Sequence, residues 1–467
     1  MEWRRLILPF FILASVQSVS RILATELPQG QIIERVMCEA DANQTYALYL
    51  PSNYTPEKKW PILYAFDAGA RGHLPVERFK EAAEKYGYIV AGSNNSRNGP
   101  LEPTVVAIRA LLQDTQARFS IDPQRLYLTG FSGGARVAVS VGYSLKGLAA
   151  GVIGCGAGFP SESRPSPSIP FAYFGTVGLE DFNFPEMKQL DQTLDSIAAP
   201  HRLAIFEGGH DWPPSDVCTM AIEWMEVEAI KSGKREKNPA LIDEVFHRAA
   251  AKARAAESSN KPYEAFLEYK ALVRDFAGLK DVSEYDIKVE QLKNSKEIKQ
   301  ALKKETDQED SQNRLSGRLL SLRETHRSGK DQSSATQELD ELISGLKRAA
   351  NKKENTADRL VARRVLNSFL LRLNQEATYY FQTKNYRLAA FNLSLAVQIK
   401  PESPGLQFNL ACAYAQDGQR KEAMGALQKA VENGFTDVVA LEKDPDLEPL
   451  RKEATFQKMV ESLRKKW

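Results

Sequence analysis

Arg125-Leu126-Tyr127-Leu128-Thr129-Gly130-Phe131-Ser132-Gly133-Gly134, followed by Ala135-Arg136-Val137-Ala138-Val139-Ser140-Val141, reads as an apolar strand, a tight turn and a helix. The turn is Gly-x-Ser-x-Gly. Strand before and helix after are the setting in which this motif carries a nucleophile. The reason is steric: a serine raised above a sheet sits on a strained backbone, and its neighbours two before and two after must lack bulk. Gly130 and Gly134 meet that requirement. The same turn aims the backbone N–H of Gly133 at the place where an oxyanion would develop.

A serine nucleophile needs a base and an acid, and both are sought downstream of it. The strand Pro170–Thr176 runs into Val177-Gly178-Leu179-Glu180-Asp181-Phe182-Asn183, where Asp181 is the candidate acid and Glu180 points elsewhere in an extended segment. The strand Arg202–Phe206 ends at Glu207-Gly208-Gly209-His210-Asp211-Trp212-Pro213, which offers His210 as the base. His201 precedes its strand and sits at the wrong sheet edge, and His73 lies before the elbow, the Gly130–Gly134 turn that carries Ser132. Trp212 is a candidate pocket wall. Upstream, Trp60–Phe66 opens into Asp67-Ala68-Gly69-Ala70-Arg71-Gly72, a loop placed to supply a second oxyanion donor. Gly69 is the assigned donor, with Ala68 the near alternative. Tyr88–Gly92 runs into Ser93–Pro100. Loops at strand carboxyl ends line the crevice of an open α/β sheet, so Asn94, Asn95 and Arg97 are candidate substrate contacts. Tyr46–Pro51 reads as an early antiparallel strand.

At 467 residues the chain exceeds one ordinary domain. A net charge of +2 supplies no field to recruit nucleic acid or an anionic membrane. Gly, Pro and aromatic residues crowd the part before about residue 232, and Lys, Glu, Gln, Ala and Leu dominate after it. That is an α/β domain followed by an all-α one. Arg4 and Arg5, the apolar run Leu6–Val16 and the small residues Ser18 and Ser20 read as an export signal over 1–20, with an uncleaved anchor as the rival. A periplasmic or secreted protein is expected, touching membrane only if that segment is retained. Cys38, Cys155, Cys218 and Cys412 show no metal-type spacing, and their pairing does not follow from sequence.

The stretch from about residue 45 to 230 resembles a secreted α/β-hydrolase of the polyhydroxybutyrate depolymerase and feruloyl/acetylxylan esterase group. The resemblance rests on Ile121-Asp122-Pro123-Gln124-Arg125 through Gly134 and on Gly208-Gly209-His210-Asp211-Trp212-Pro213. It implies ester hydrolysis without naming the ester. One departure stands out: the His-Gly that usually opens the oxyanion loop is Asp67-Ala68 here.

The expected organisation is an α/β-hydrolase domain over 30–230, a polar linker over 231–239, a charged helical region over 240–370 and a repeat region with a capping helix over 371–467. The charged region holds a degenerate copy near Tyr263-Glu264-Ala265. In the last region Ala377, Tyr380, Ala389, Leu393 and Ala396 recur as Ala411, Tyr414, Ala423, Leu427 and Ala430, each 34 residues on. This resembles the tetratricopeptide repeat, which implies a surface for a peptide or protein partner. The reading is therefore an exported serine hydrolase using Ser132, His210 and Asp181, with Gly69 and Gly133 as oxyanion donors and no metal or organic cofactor. A serine peptidase of the same fold and a non-catalytic repeat-based binding protein are the alternatives. With a polar linker, few contacts are expected to cross near residue 233.

Overall fold

The computed structural model describes residues 27–329, 332–354 and 356–464. The export segment expected over 1–20 lies outside the described residues. Eight strands form one sheet: β1 Ile32–Cys38, β2 Asp41–Tyr49, β3 Trp60–Asp67, β4 Ile89–Ser93, β5 Ile121–Phe131, β6 Ala149–Cys155, β7 Ala172–Gly178 and β8 His201–Phe206. Their order is β1-β2-β4-β3-β5-β6-β7-β8. β2 pairs antiparallel with both β1 and β4, and every other pairing is parallel. The edge strand β1, Ile-Ile-Glu-Arg-Val-Met-Cys, was not anticipated. Its burial pattern is irregular and its register with β2 shifts twice, so no clean alternation marks it.

The central strands are buried on both faces, which is why they read as continuous apolar runs rather than alternating ones. Along β3, Ile62, Tyr64 and Phe66 enter one core and Leu63 the other. Along β5, Leu126 and Leu128 share the first core while Tyr127 and Phe131 share the second. Helices α2 (Leu101–Arg118), α3 (Gly133–Ser144) and α4 (Phe184–Ser196) cover the first face. Helices α1 (His73–Tyr86) and α5 (Ser215–Lys231) cover the second.

The chain separates into two compact units between Thr306 and Asp307, inside the helix Lys296–Arg327. The expectation of few contacts near residue 233 is corrected by the three helices after α5. Helices α6 (Pro239–Ser258), α7 (Pro262–Phe276) and α8 (Ser283–Lys293) build a core with Val227 and Ile230 of α5. Buried Asp275 accepts from Trp224 Nε1 at 2.9 Å and from Arg202 Nη1 at 2.7 Å. Arg274 donates to Asp195 and to His201 Nε2, each at 3.0 Å. The polar stretch after Lys231 is thus a surface turn between packed elements. The eight-stranded sheet shares its unit with the first part of the charged helical region, including the helix that carries Tyr263.

The second unit is helical and holds one core. Eight of the residues that recur at 34-residue spacing, Ala377, Ala389, Leu393, Ala396, Ala411, Ala423, Leu427 and Ala430, are buried in it. Tyr380 and Tyr414 pack against it. They lie on four successive helices, Ala357–Gln382, Tyr386–Ile399, Pro404–Gln416 and Arg420–Glu432. Asn385 and Ser403 cap the second and third of these through Leu388 N–H and Leu406 N–H. All four cysteines are buried free thiols. Among the described residues, no helix is long and apolar enough to cross a membrane.

Candidate active site

Ser132 sits between the end of β5 and the start of α3 with φ 55° and ψ −120°, a conformation sparsely populated by any residue with a side chain. The local packing leaves no alternative to glycine on either side. A Cβ on Gly130 would stand 2.0 Å from the Gly134 carbonyl oxygen, and one on Gly134 would stand 2.0 Å from the Phe66 carbonyl oxygen. Ser132 N–H donates to the Cys155 carbonyl at the end of β6, 2.8 Å away, which pins the turn to the sheet.

His210 lies on the loop after β8. Its Nε2 is 2.9 Å from Ser132 Oγ, and its Nδ1 is 2.9 Å from each oxygen of Asp181. A carboxylate can only accept, so Nδ1 carries the proton and the Ser132 hydroxyl donates to Nε2. Asp181 is fully buried and His210 is 14% exposed, so the chain of bonds runs from the protein interior to an accessible hydroxyl. Phe131 and Phe182 flank the imidazole, with ring centroids 4.6 and 4.2 Å away. Asp181 is held in turn: its backbone N–H donates to Gly178 at 3.1 Å, and its Oδ1 accepts from Asn183 N–H at 2.8 Å. Asp211, next to His210 in sequence, is exposed and accepts from the N–H of Trp212 at 2.7 Å.

The His210 loop can fold back because Gly178 lies beneath it. A Cβ there would meet the carbonyl oxygens of Gly208 and Gly209 at 2.5 and 2.4 Å. Gly208 has φ 153° and is closed in by Phe206, whereas Gly209 has open space around it. His201 is held at the far end of β8, buried, its Nδ1 donating to the Ala199 carbonyl at 2.8 Å.

Gly133 opens α3, where the first N–H groups of a helix have no intrahelical partner. The assignment of Gly69 as the second oxyanion donor is corrected. Its N–H donates to Asp67 Oδ1 at 2.7 Å. Ala68, the alternative in the same loop, has its carbonyl bonded to Asn98 N–H at 2.9 Å, which fastens this loop to the one after β4.

Asn94 and Asn95 are also corrected, because their amides hold the loop to the β1–β2 hairpin. Asn94 Nδ2 donates to the Glu34 carbonyl at 3.0 Å, and Asn95 Oδ1 accepts from Thr45 N–H at 2.8 Å. Arg97 is exposed, its carbonyl fixed by the Thr104 hydroxyl at 3.0 Å. The residue of this loop that does stand at the elbow is Asn98, which sequence reasoning missed. A Cβ on Gly133 would meet Asn98 Oδ1 at 1.8 Å. Its one legible signal was membership of the same Asn-rich loop.

Trp212 is buried, packs on Phe131 at 5.8 Å and donates from Nε1 to Asp67 Oδ2 at 2.8 Å. Asp67 is fully buried. Burial alone pushes its carboxyl upward, but hydrogen bonds from Arg71, Trp212 and Gly69 outweigh this and hold it below the usual carboxylate range. Cys155, beside the elbow, is pushed up to about 11 by burial, so its thiol stays protonated near neutrality.

No protein-family model matches the chain. Among curated proteins, a chloroplastic protein of Arabidopsis thaliana is 32% identical over 74 residues, which is 16% of this chain. The match spans only 22% of that relative's length. Similar solved structures include FphF, a fluorophosphonate-binding serine hydrolase of Staphylococcus aureus, with a TM-score of 0.35, 14% identity and coverage of 42% of this chain and 99% of that one. A ferulic acid esterase matches with a TM-score of 0.34 and 17% identity over 42% of this chain and 96% of its own. A hyperthermophilic esterase from the archaeon Pyrobaculum calidifontis matches with a TM-score of 0.35 and 11% identity over 45% of this chain and 90% of its own.

Proposed function

We propose that the protein is a serine hydrolase that cleaves carboxylic esters through an acyl-enzyme. The observation that carries this reading is the unbroken chain from buried Asp181 through His210 to Ser132 Oγ, with 2.9 Å at each contact. Ser132 Oγ attacks the acyl carbon while His210 Nε2 takes its proton. Asp181 keeps the imidazole in the required tautomer and stabilises the imidazolium. The oxyanion is held by the N–H of Gly133 and, in place of Gly69, the N–H of Ala68. His210 then protonates the departing alcohol, and water enters by the same steps in reverse to release the acid.

The export signal read in the first twenty residues suits a periplasmic or secreted enzyme. The buried Ala and Leu positions that recur every 34 residues suit a tetratricopeptide-type stack that binds a peptide or protein partner. The test is labelling of the full-length protein with a fluorophosphonate, mapping of the modified peptide, and turnover of a panel of acyl esters beside peptide amides. Modification at Ser132 with ester turnover is expected. No labelling and no turnover would overturn the reading, and amide turnover above ester turnover would make it a peptidase.

A further inference from the structure

Asp67 stands where the resembled esterases open their oxyanion loop with histidine, and every oxygen it owns is engaged. Oδ1 accepts from Gly69 N–H at 2.7 Å and from Arg71 Nε at 2.8 Å. Oδ2 accepts from Arg71 Nη2 at 3.0 Å and from Trp212 Nε1 at 2.8 Å. The first three bonds shape the turn Asp67–Arg71 around its own carboxylate. The fourth crosses 145 residues of sequence to the loop that carries His210. Trp212 is two residues after His210, and its ring lies on Phe131, the neighbour of Ser132, which in turn lies on the imidazole.

We infer that Asp67 is a positioning residue that sets the oxyanion loop in register with the His210 loop. The inference rests on the hydrolase reading. Asp67 contacts no reacting atom in this scheme. It acts through Ala68, the next residue in the chain, and through Trp212. Only a carboxylate suits the place, because every incoming group, the backbone N–H of Arg71 at 3.4 Å included, is a donor and an ionised carboxylate only accepts. An amide would turn an NH2 toward Arg71 or Trp212 and release one of them. A donor displaced by a fraction of its bond length no longer meets the tetrahedral oxygen, although the substrate still binds.

The test compares wild type, Asp67→Asn, Trp212→Phe and the double variant, using a short acyl ester, butylboronic acid as a tetrahedral probe, and phosphonate titration of active sites. For Asp67→Asn, kcat per titrated site should fall about 10- to 100-fold with KM little changed. The boronate inhibition constant should rise by a similar factor. Trp212→Phe should move both in the same direction, and the double variant should lose little more than Asp67→Asn alone. A role in folding only would lower the number of titratable sites and leave boronate affinity per site intact, and that result overturns the inference. So does a kcat within twofold of wild type. If Asp67→Asn does not fold, Trp212→Phe decides by the same two readouts. Wild type that shows neither Ser132 labelling nor turnover overturns the hydrolase reading itself. Labelled wild type with unaffected variants overturns the role of Asp67 alone.

Discussion

The Cβ that Gly134 lacks would stand 2.0 Å from the carbonyl oxygen of Phe66. Both atoms belong to rigid elements, the first turn of α3 and the end of β3, so neither can yield cheaply. Gly134→Ala should therefore destabilise the protein by about 3 kcal/mol and abolish turnover. Gly209→Ala, next to His210 but with nothing within 4 Å of its missing Cβ, should change stability by less than about 1 kcal/mol. Thermal melts and ester assays on the two variants check the contrast. Equal tolerance would show that the elbow is looser than its geometry.

Ser132→Ala should leave the fold intact and remove fluorophosphonate labelling. Ester turnover should drop by about four orders of magnitude or more, because the members of a triad act as a unit. A purified variant that keeps its turnover would place the nucleophile elsewhere.

The two acids near His210 should behave differently. Asp181→Asn should cost about 10⁴-fold in kcat, since an amide disturbs the tautomer and withdraws the counter-charge. Asp211→Asn should cost less than about threefold, because that carboxylate is exposed and engaged with the N–H of Trp212. Steady-state kinetics at a single pH settles the ranking.

A fragment ending at Gly233 should not behave as a free-standing enzyme. It would expose Val227 and Ile230, now 1% and 4% exposed, and strip Trp224 and Arg202 of their shared partner Asp275. Two such side chains at about 1.5–3 kcal/mol each correspond to a loss of about 6 °C or more in Tm. A fragment ending at Thr306, the limit of the first compact unit, should retain both Tm and small-ester turnover. Calorimetry of the two fragments beside the full chain distinguishes them, and equal melting points would mean that α6–α8 are dispensable.

Much of the sheet was legible because its central strands are short apolar runs bounded by turn residues. Seven of the eight strands overlap stretches that read as strands, from Tyr46–Pro51 through Ala150–Gly154 to Arg202–Phe206. The edge strand β1 escaped because a strand paired on one side needs no continuous apolar face. The split at residue 233 failed for a related reason. Lys231 to Asn238 are polar because they turn at the surface, and composition records exposure of a segment, not whether its flanks touch.

The sequence alone determined the residue types and their order. Gly-x-Ser-x-Gly between strand and helix, Asp181 after one strand and His210 after another are constraints of local sterics and chain order, and both are written in one dimension. Tertiary structure decided which donors are free and which are taken. Asp67 looked like a departure from an oxyanion motif until its carboxylate met Gly69, Arg71 and Trp212, and the N–H of Gly69 is engaged only because that carboxylate turns back on it. Asn94 and Asn95 were the candidates in their loop and Asn98 was not, yet the first two bond to the β1–β2 hairpin and Asn98 stands against Gly133. A hydrogen bond between residues 145 positions apart depends on how the loops close over the sheet, and no local pattern carries that information.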